Sequence, residues 1–196
     1  MIRVPLQSRE TVAEDEQYIF DLLDRERGTP TAYIFRALAN TPEILAKFIP
    51  MANEVRNAAG LDPKLRELAV VTVARTLDSA YEFSAHSMLA LRLGIPAEKL
   101  HAIDDFETSS LFSDEERDVM RLAREVTKTA KASDATWTAV HNRLGDKRSV
   151  ALLFNIGWYN LVARLNGPLG IETDPLFDSA KYGDAIVQKL APGGAK

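Results

Sequence analysis

The chain has 196 residues, 46% hydrophobic and 27% charged, with a formal net charge of -4 and no cysteine. This is ordinary globular composition, which argues against disorder. Lys and Arg form no cluster that would serve as a nucleic-acid footprint, and without a thiol there is no disulfide framework, thiolate zinc site or cysteine nucleophile. The longest uncharged run, between Arg148 and Arg164, contains Asn155 and Asn160 and is too short to cross a bilayer. The N-terminus lacks the apolar stretch of a secretory signal, so a cytoplasmic protein with no membrane partner is expected.

Residues 1–11, with Pro5, read as an extended lead-in. Val12, Tyr18, Ile19, Leu22 and Leu23 recur at helical spacing among charged residues up to Arg27, and Gly28 with Pro30 supplies the stop. A short helix is predicted over Ala32 to Ala39. Thr41-Pro42 places proline at the first position of a helix running to Gly60, with Pro50 expected to kink or divide it. Asp62-Pro63 repeats the cap-then-proline signal.

The helix it opens and the next one, from Leu65 to Leu93, are apolar on almost every side and are separated by a break at Asp78 and Ser79. A short segment from Pro96 to Ile103 follows, then the acidic loop DDFETSS. Ser113 and Glu116 have capping-box spacing ahead of Val119, Leu122, Ala123, Val126 and Ala130 on one face. Ser133 begins a helix that Gly145 ends. A last helix, Arg148 to Leu165, is expected to turn Val150, Leu153, Phe154, Trp158, Leu161 and Leu165 to the core, with Asn155 and Tyr159 on its flank. No alternating strand pattern or fixed repeat occurs. The class is all-α, with a single domain over 1–172 and an irregular C-terminal arm over 173–196.

Three ionisable groups stand out in the apolar pair of helices: Glu67, Glu82 and His86. Glu82 and His86 are four apart and share a helical face, which Leu89 and Leu93 continue. Such a face should bury itself, and an unpaired buried charge costs several kcal/mol or shifts its pKa until the charge is lost. Three readings stay open. The trio is a satisfied structural ion pair with a neighbour. It holds a metal ion, with Glu67 as third ligand. Or it moves protons, because a carboxylate beside a histidine fixes its tautomer and raises its basicity. Ser79 and Tyr81 are nearby hydroxyls for a substrate oxygen, and Arg75 and Arg164 are candidate clamps for a substrate carboxylate. His101 and His141 read as surface residues.

The stretch LRELAVVTVARTLDSAYEFSAH, with PTAYIFRALANTPEILAKF before it and LFNIGWYNLVARLNGPLGIE after it, resembles the carboxymuconolactone decarboxylase family, whose fold is that of alkylhydroperoxidase D. In the peroxidase branch an acidic residue is followed by C-x-x-C and a histidine. Glu67 matches the acid and His86 the histidine, while Ser79 and Glu82 stand where the cysteines would be. The resemblance therefore implies an alkylhydroperoxidase D-like helical bundle in a cysteine-free form, assembled as a homo-oligomer and without a thiolate for peroxidase work. It implies a cofactor-independent lyase or isomerase from aromatic catabolism, acting on a small carboxylated or lactone substrate. His86 would donate the proton, Glu82 would orient it and Glu67 would hold a second proton. Ser79, Tyr81, Arg75, Asn155 and Tyr159 would bind the substrate. No metal or cofactor is called for. A non-catalytic oligomeric or ligand-binding protein that keeps the fold is the competing expectation.

Overall fold

A computed structural model describes residues 1–28, 30–57, 60–172 and 174–177. Among these residues the chain is helical, with no strand. The helices are α1 (Tyr18–Arg27), α2 (Tyr33–Leu38), α3 (Pro42–Arg56), α4 (Pro63–Thr76), α5 (Ala80–Arg92), α6 (Ala97–His101), α7 (Asp114–Thr129) and α8 (Asp134–Leu169). Of the expected C-terminal arm only 174–177 is described, and Pro175–Phe177 forms a single 3-10 turn. The remainder of that arm lies outside the described residues.

Local chemistry explains the boundaries. The Asp62 side chain accepts the Lys64 N–H at 2.7 Å and starts α4. Ser113 and Glu116 form the reciprocal capping box of α7. Ser113→Ala is expected to cost about 1 kcal/mol, seen as a melting point lower by about 2–4 °C in a chain of this size. α8 is broken at Gly145, whose φ of 69° a residue with a Cβ rarely adopts. The Pro42 helix stops at Arg56, short of Gly60, and runs through Pro50 as one element.

α4 is the central helix, buried at Leu65 and at every position from Glu67 to Ala74, as a helix with so little polar face must be. Leu65, Ala69 and Val73 pack with Val119, Leu122, Leu152 and Ile156 of α7 and α8. Leu68, Val71 and Ala74 pack with Phe83, Leu100, Phe106 and Met120 on the other side. α1 and α3 close a smaller cluster through Ile19, Leu23, Leu45 and Ile49. The N-terminal arm is tied down by its backbone: Arg36 donates to the carbonyls of Leu6 and Gln7, and the Arg3 N–H donates to Leu169.

One face differs from expectation. The buried side of α8 is built from Ala151, Leu152, Asn155, Ile156, Val162, Ala163 and Asn166, whereas Val150, Phe154 and Leu161 are exposed. The bulkiest apolar side chains mark the wrong face here, because the helix needs small and polar residues where it lies against α4 and α5.

Candidate active site

The site forms where the third residue of α5 and the residue one turn later face the first turns of α4. Glu67, Glu82 and His86 are all buried, Glu67 to 1% exposure. His86 Nδ1 lies 2.6 Å from Glu67 Oε2, and His86 Nε2 lies 3.5 Å from Glu82 Oε2. With Nδ1–H donating to the Glu67 carboxylate, the imidazole tautomer is fixed and Nε2 is left as the reactive nitrogen. The ring is also held by Tyr159, which meets it edge-on with centroids 4.4 Å apart.

The two glutamates have opposite electrostatics. Burial would raise Glu67, but the charge and hydrogen bond of His86 and of Arg66 outweigh it, and Glu67 is held below the usual carboxylate range. Arg66 Nε and Nη2 both donate to Glu67 Oε1 at 3.1 Å, while its Nη1 donates to the Arg56 carbonyl. For Glu82 burial wins. Attraction to His86 and the Asn166 Nδ2–H bond to Oε1 at 2.6 Å offset it only partly, Glu67 adds repulsion, and the group is pushed up. One carboxyl is therefore held as an anion and the other favours its protonated form, a division found where acid and base roles are separated.

Glu82 and His86 face a cavity of about 310 Å³, at the small end of the range for ligand sites. Phe35, Phe48, Trp158, Tyr159 and Phe177 supply much of its wall, and Arg27, Arg56 and Arg92 also line it. The Arg27 guanidinium lies over the Phe35 ring, and its Nε is buried without a protein partner among the described residues. Burial, followed by repulsion from Arg56, holds it below the usual arginine range. Glu67 is not part of the cavity wall; it lies behind His86.

The other sequence candidates divide. Tyr81 and Tyr159 line the cavity. The Tyr81 hydroxyl bonds to Asp174 Oδ2 at 3.4 Å, and that same oxygen accepts the Tyr33 N–H at 2.6 Å. Burial raises both tyrosines, with Asp174 and Glu82 adding at Tyr81 and Glu67 and Glu82 adding at Tyr159, so both hydroxyls stay protonated. Asn155 is fully buried, outside the cavity wall, with neither amide atom partnered among the described residues.

Ser79 sits half-buried at the N-cap of α5, also outside the cavity. Arg75 is engaged elsewhere: its guanidinium binds Asp104 at 2.5 and 3.2 Å. Arg164 donates to Asn160. The arginines that do reach the cavity are three that sequence reasoning passed over, as it did Arg66, Asn166 and Asp174. Only Asn166 left a readable trace, as a polar residue eleven positions after Asn155 on the same helical face.

Among the described residues no group of three or more His, Asp and Glu side chains is arranged to hold a metal ion. The geometry gives the reason, since the two imidazole nitrogens point at different carboxylates. No helix of the described residues is long and apolar enough to cross a membrane.

The architecture is that of the alkylhydroperoxidase D-like helical proteins. A peroxidase-related protein from Ralstonia eutropha JMP134 with an AhpD core superposes with a TM-score of 0.75 at 18% identity, covering 90% of this chain and 94% of its own. The debrominase Bmp8, in a complex with 2,3,4-tribromopyrrole, gives 0.75 at 15% identity over 95% and 96%. A peroxidase-related protein from Silicibacter sp. TM1040 gives 0.73 at 16% identity over 93% of each chain. At these identities the likeness is one of fold. The model of the carboxymuconolactone decarboxylase family matches residues 42–125, from the start of α3 into α7. Over those residues the chain is similar to the carboxymuconolactone decarboxylase family, and it carries no cysteine. No curated protein sequence matches it.

Proposed function

We propose that the protein is a cofactor-independent lyase or isomerase that moves protons on a small carboxylated or lactone substrate, and that it acts as a homo-oligomer. The observation that carries this reading is the placement of Glu82 and His86 together in the wall of a ring-sized cavity that three arginines share. A solid core around the same residues would have favoured a purely structural role.

In this reading the guanidinium groups of Arg27, Arg56 and Arg92 bind the substrate carboxylate, and the aromatic wall takes a planar ring. His86 Nε2 takes a proton from the carbon next to a carbonyl, and the carboxyl of Glu82 returns one at the far end of the resulting enolate. In a decarboxylation the electron pair of the broken carbon–carbon bond enters the carbonyl instead, and the same acid quenches it. Glu67 keeps the imidazole oriented and stabilises its charged form. The two glutamates exchange the parts that the sequence suggested: Glu67 orients and Glu82 holds the second proton. A cytoplasmic place in the breakdown of aromatic compounds goes with this reading, and the absence of a thiolate argues against peroxidase chemistry.

The test is turnover across a panel of small lactones and unsaturated ring carboxylic acids. With any accepted substrate, His86→Ala is expected to lower kcat by about 10²–10⁴-fold, the usual contribution of a general acid or base. An unchanged rate in that variant would discard the assignment. Saturable binding of ring acids with no turnover would instead support a ligand-binding protein.

A further inference from the structure

The exposed side of α8 carries an apolar stripe that the monomer does not use. Val150 is 49% exposed, Phe154 62% and Leu161 46%, and across a groove of about 400 Å³ Met51 of α3 is 48% exposed. Gly157 lies at the centre of this stripe, in the interior of a helix. A Cβ built there meets nothing within 4 Å, and the position has no positive φ, so neither packing nor backbone conformation calls for glycine in one copy of the chain. Glycine in a helix interior still costs about 1 kcal/mol relative to alanine. Its value must come from something outside the copy, and the plainest is a second helix that approaches closely.

The spacing indicates which helix. Phe154 precedes Gly157 by three residues and Leu161 follows it by four, one turn on either side. On α3, Lys47 precedes Met51 by four and Glu54 follows it by three, and both charged residues are exposed. A two-fold axis lying in this face and passing by Gly157 and Met51 therefore sets Phe154 against the partner's Leu161 and Gly157 against the partner's Gly157. It also sets Lys47 against the partner's Glu54. Both the apolar row and the flanking charges are complementary to their own antiparallel copy, as a closed dimer requires.

We propose that the α3–α8 face, centred on Gly157 and Met51, is the two-fold interface between two copies of this chain. The inference deepens the self-association in the proposed function and does not depend on the proposed chemistry. Trp158 lines both this groove and the cavity, with its ring 4.4 Å from that of Phe48 between centroids, so the second copy covers the outer side of the cavity wall.

The experiment measures mass by light scattering and sedimentation over a range of concentrations, with circular dichroism to check folding. The wild-type chain is expected to associate in pairs. Phe154→Glu, Leu161→Glu and Gly157→Leu change no packed position of the monomer and are expected to raise the dissociation constant at least tenfold, roughly the loss expected at the centre of an interface. Lys47→Glu alone and Glu54→Lys alone should weaken pairing, and the two together should restore it. A single-copy wild type at all concentrations would overturn self-association itself. An assembly indifferent to the Phe154 and Gly157 variants would leave self-association standing and overturn this face. A chain that pairs only after residues 178–196 are removed would assign the face to the chain's own tail and also overturn it.

Discussion

Glu67→Ala is expected to destabilise the fold by about 3–5 kcal/mol, the range for removing one partner of a buried ion pair, and to lower the melting point by about 6–20 °C in a chain of this length. The size follows from what the substitution leaves behind. His86 Nδ1–H loses its acceptor at 2.6 Å on the side of the ring turned away from the cavity, and two donors of the partly buried Arg66 lose theirs at 3.1 Å. Buried donors without partners are dearer than the hydrogen bonds that satisfied them. Glu67→Gln should lose much less, because its amide oxygen can still accept from His86.

The pH dependence has a definite sign. The folded pKa of Glu67 lies below its unfolded value of about 4.5, so its contribution is present above that value and fades as pH falls through the lower folded one. The deficit of the alanine variant should therefore be full at neutral pH and shrink in strong acid. Thermal melts in which Glu67→Ala stays within about 2 °C of wild type at neutrality would show that the ion pair contributes little.

What the sequence discloses of this molecule is mostly what short-range chemistry encodes. Asp62-Pro63, the Ser113 and Glu116 box, Ser133 and Gly145 each act through neighbours within a turn, and the helices start and stop at them. The Glu82 and His86 pair is legible for the same reason, since four residues on a helix fix a shared face. Glu67 can be read only because its surroundings are so apolar that no polar face remains for it. The exposed face of α8 is misread because periodicity ranks residues by size and hydropathy. The side chains that meet α4 and α5 are chosen by the room available, which admits Ala151, Ala163 and two asparagines.

The rest of the site depends on long-range pairing. Asn166 reaches Glu82 across 84 residues, and Asp174 reaches Tyr81 across 93. Arg75 and Arg56 look equally suited to hold a carboxylate until the fold gives Asp104 to the first and the cavity to the second. No local pattern separates an arginine bound to an aspartate from one that lines a binding site.

Glu82→Gln is expected to abolish proton transfer and yet make the protein more stable, the behaviour of a group retained for chemistry at a cost to folding. Glu82 is buried in a place that disfavours its anion, and Glu67 nearby adds repulsion. Its folded pKa is raised, so the stability linked to its protonated form is complete below the unfolded value of about 4.5 and is lost as pH climbs through the folded value. Glutamine cannot ionise, and its amide oxygen can keep the Asn166 Nδ2–H bond. The gain over wild type should therefore be near zero in acid and grow with pH, reaching on the order of 1–2 kcal/mol. Paired melts from mildly acidic to mildly alkaline buffer would measure it, together with turnover of whatever substrate the lactone and ring-acid panel reveals. A stability difference that shrank as pH rose would mean that Glu82 is anionic and held by His86, and the acid role would pass to the imidazole. A stabilised variant with full turnover would leave Glu82 as a buried carboxyl without a part in the reaction.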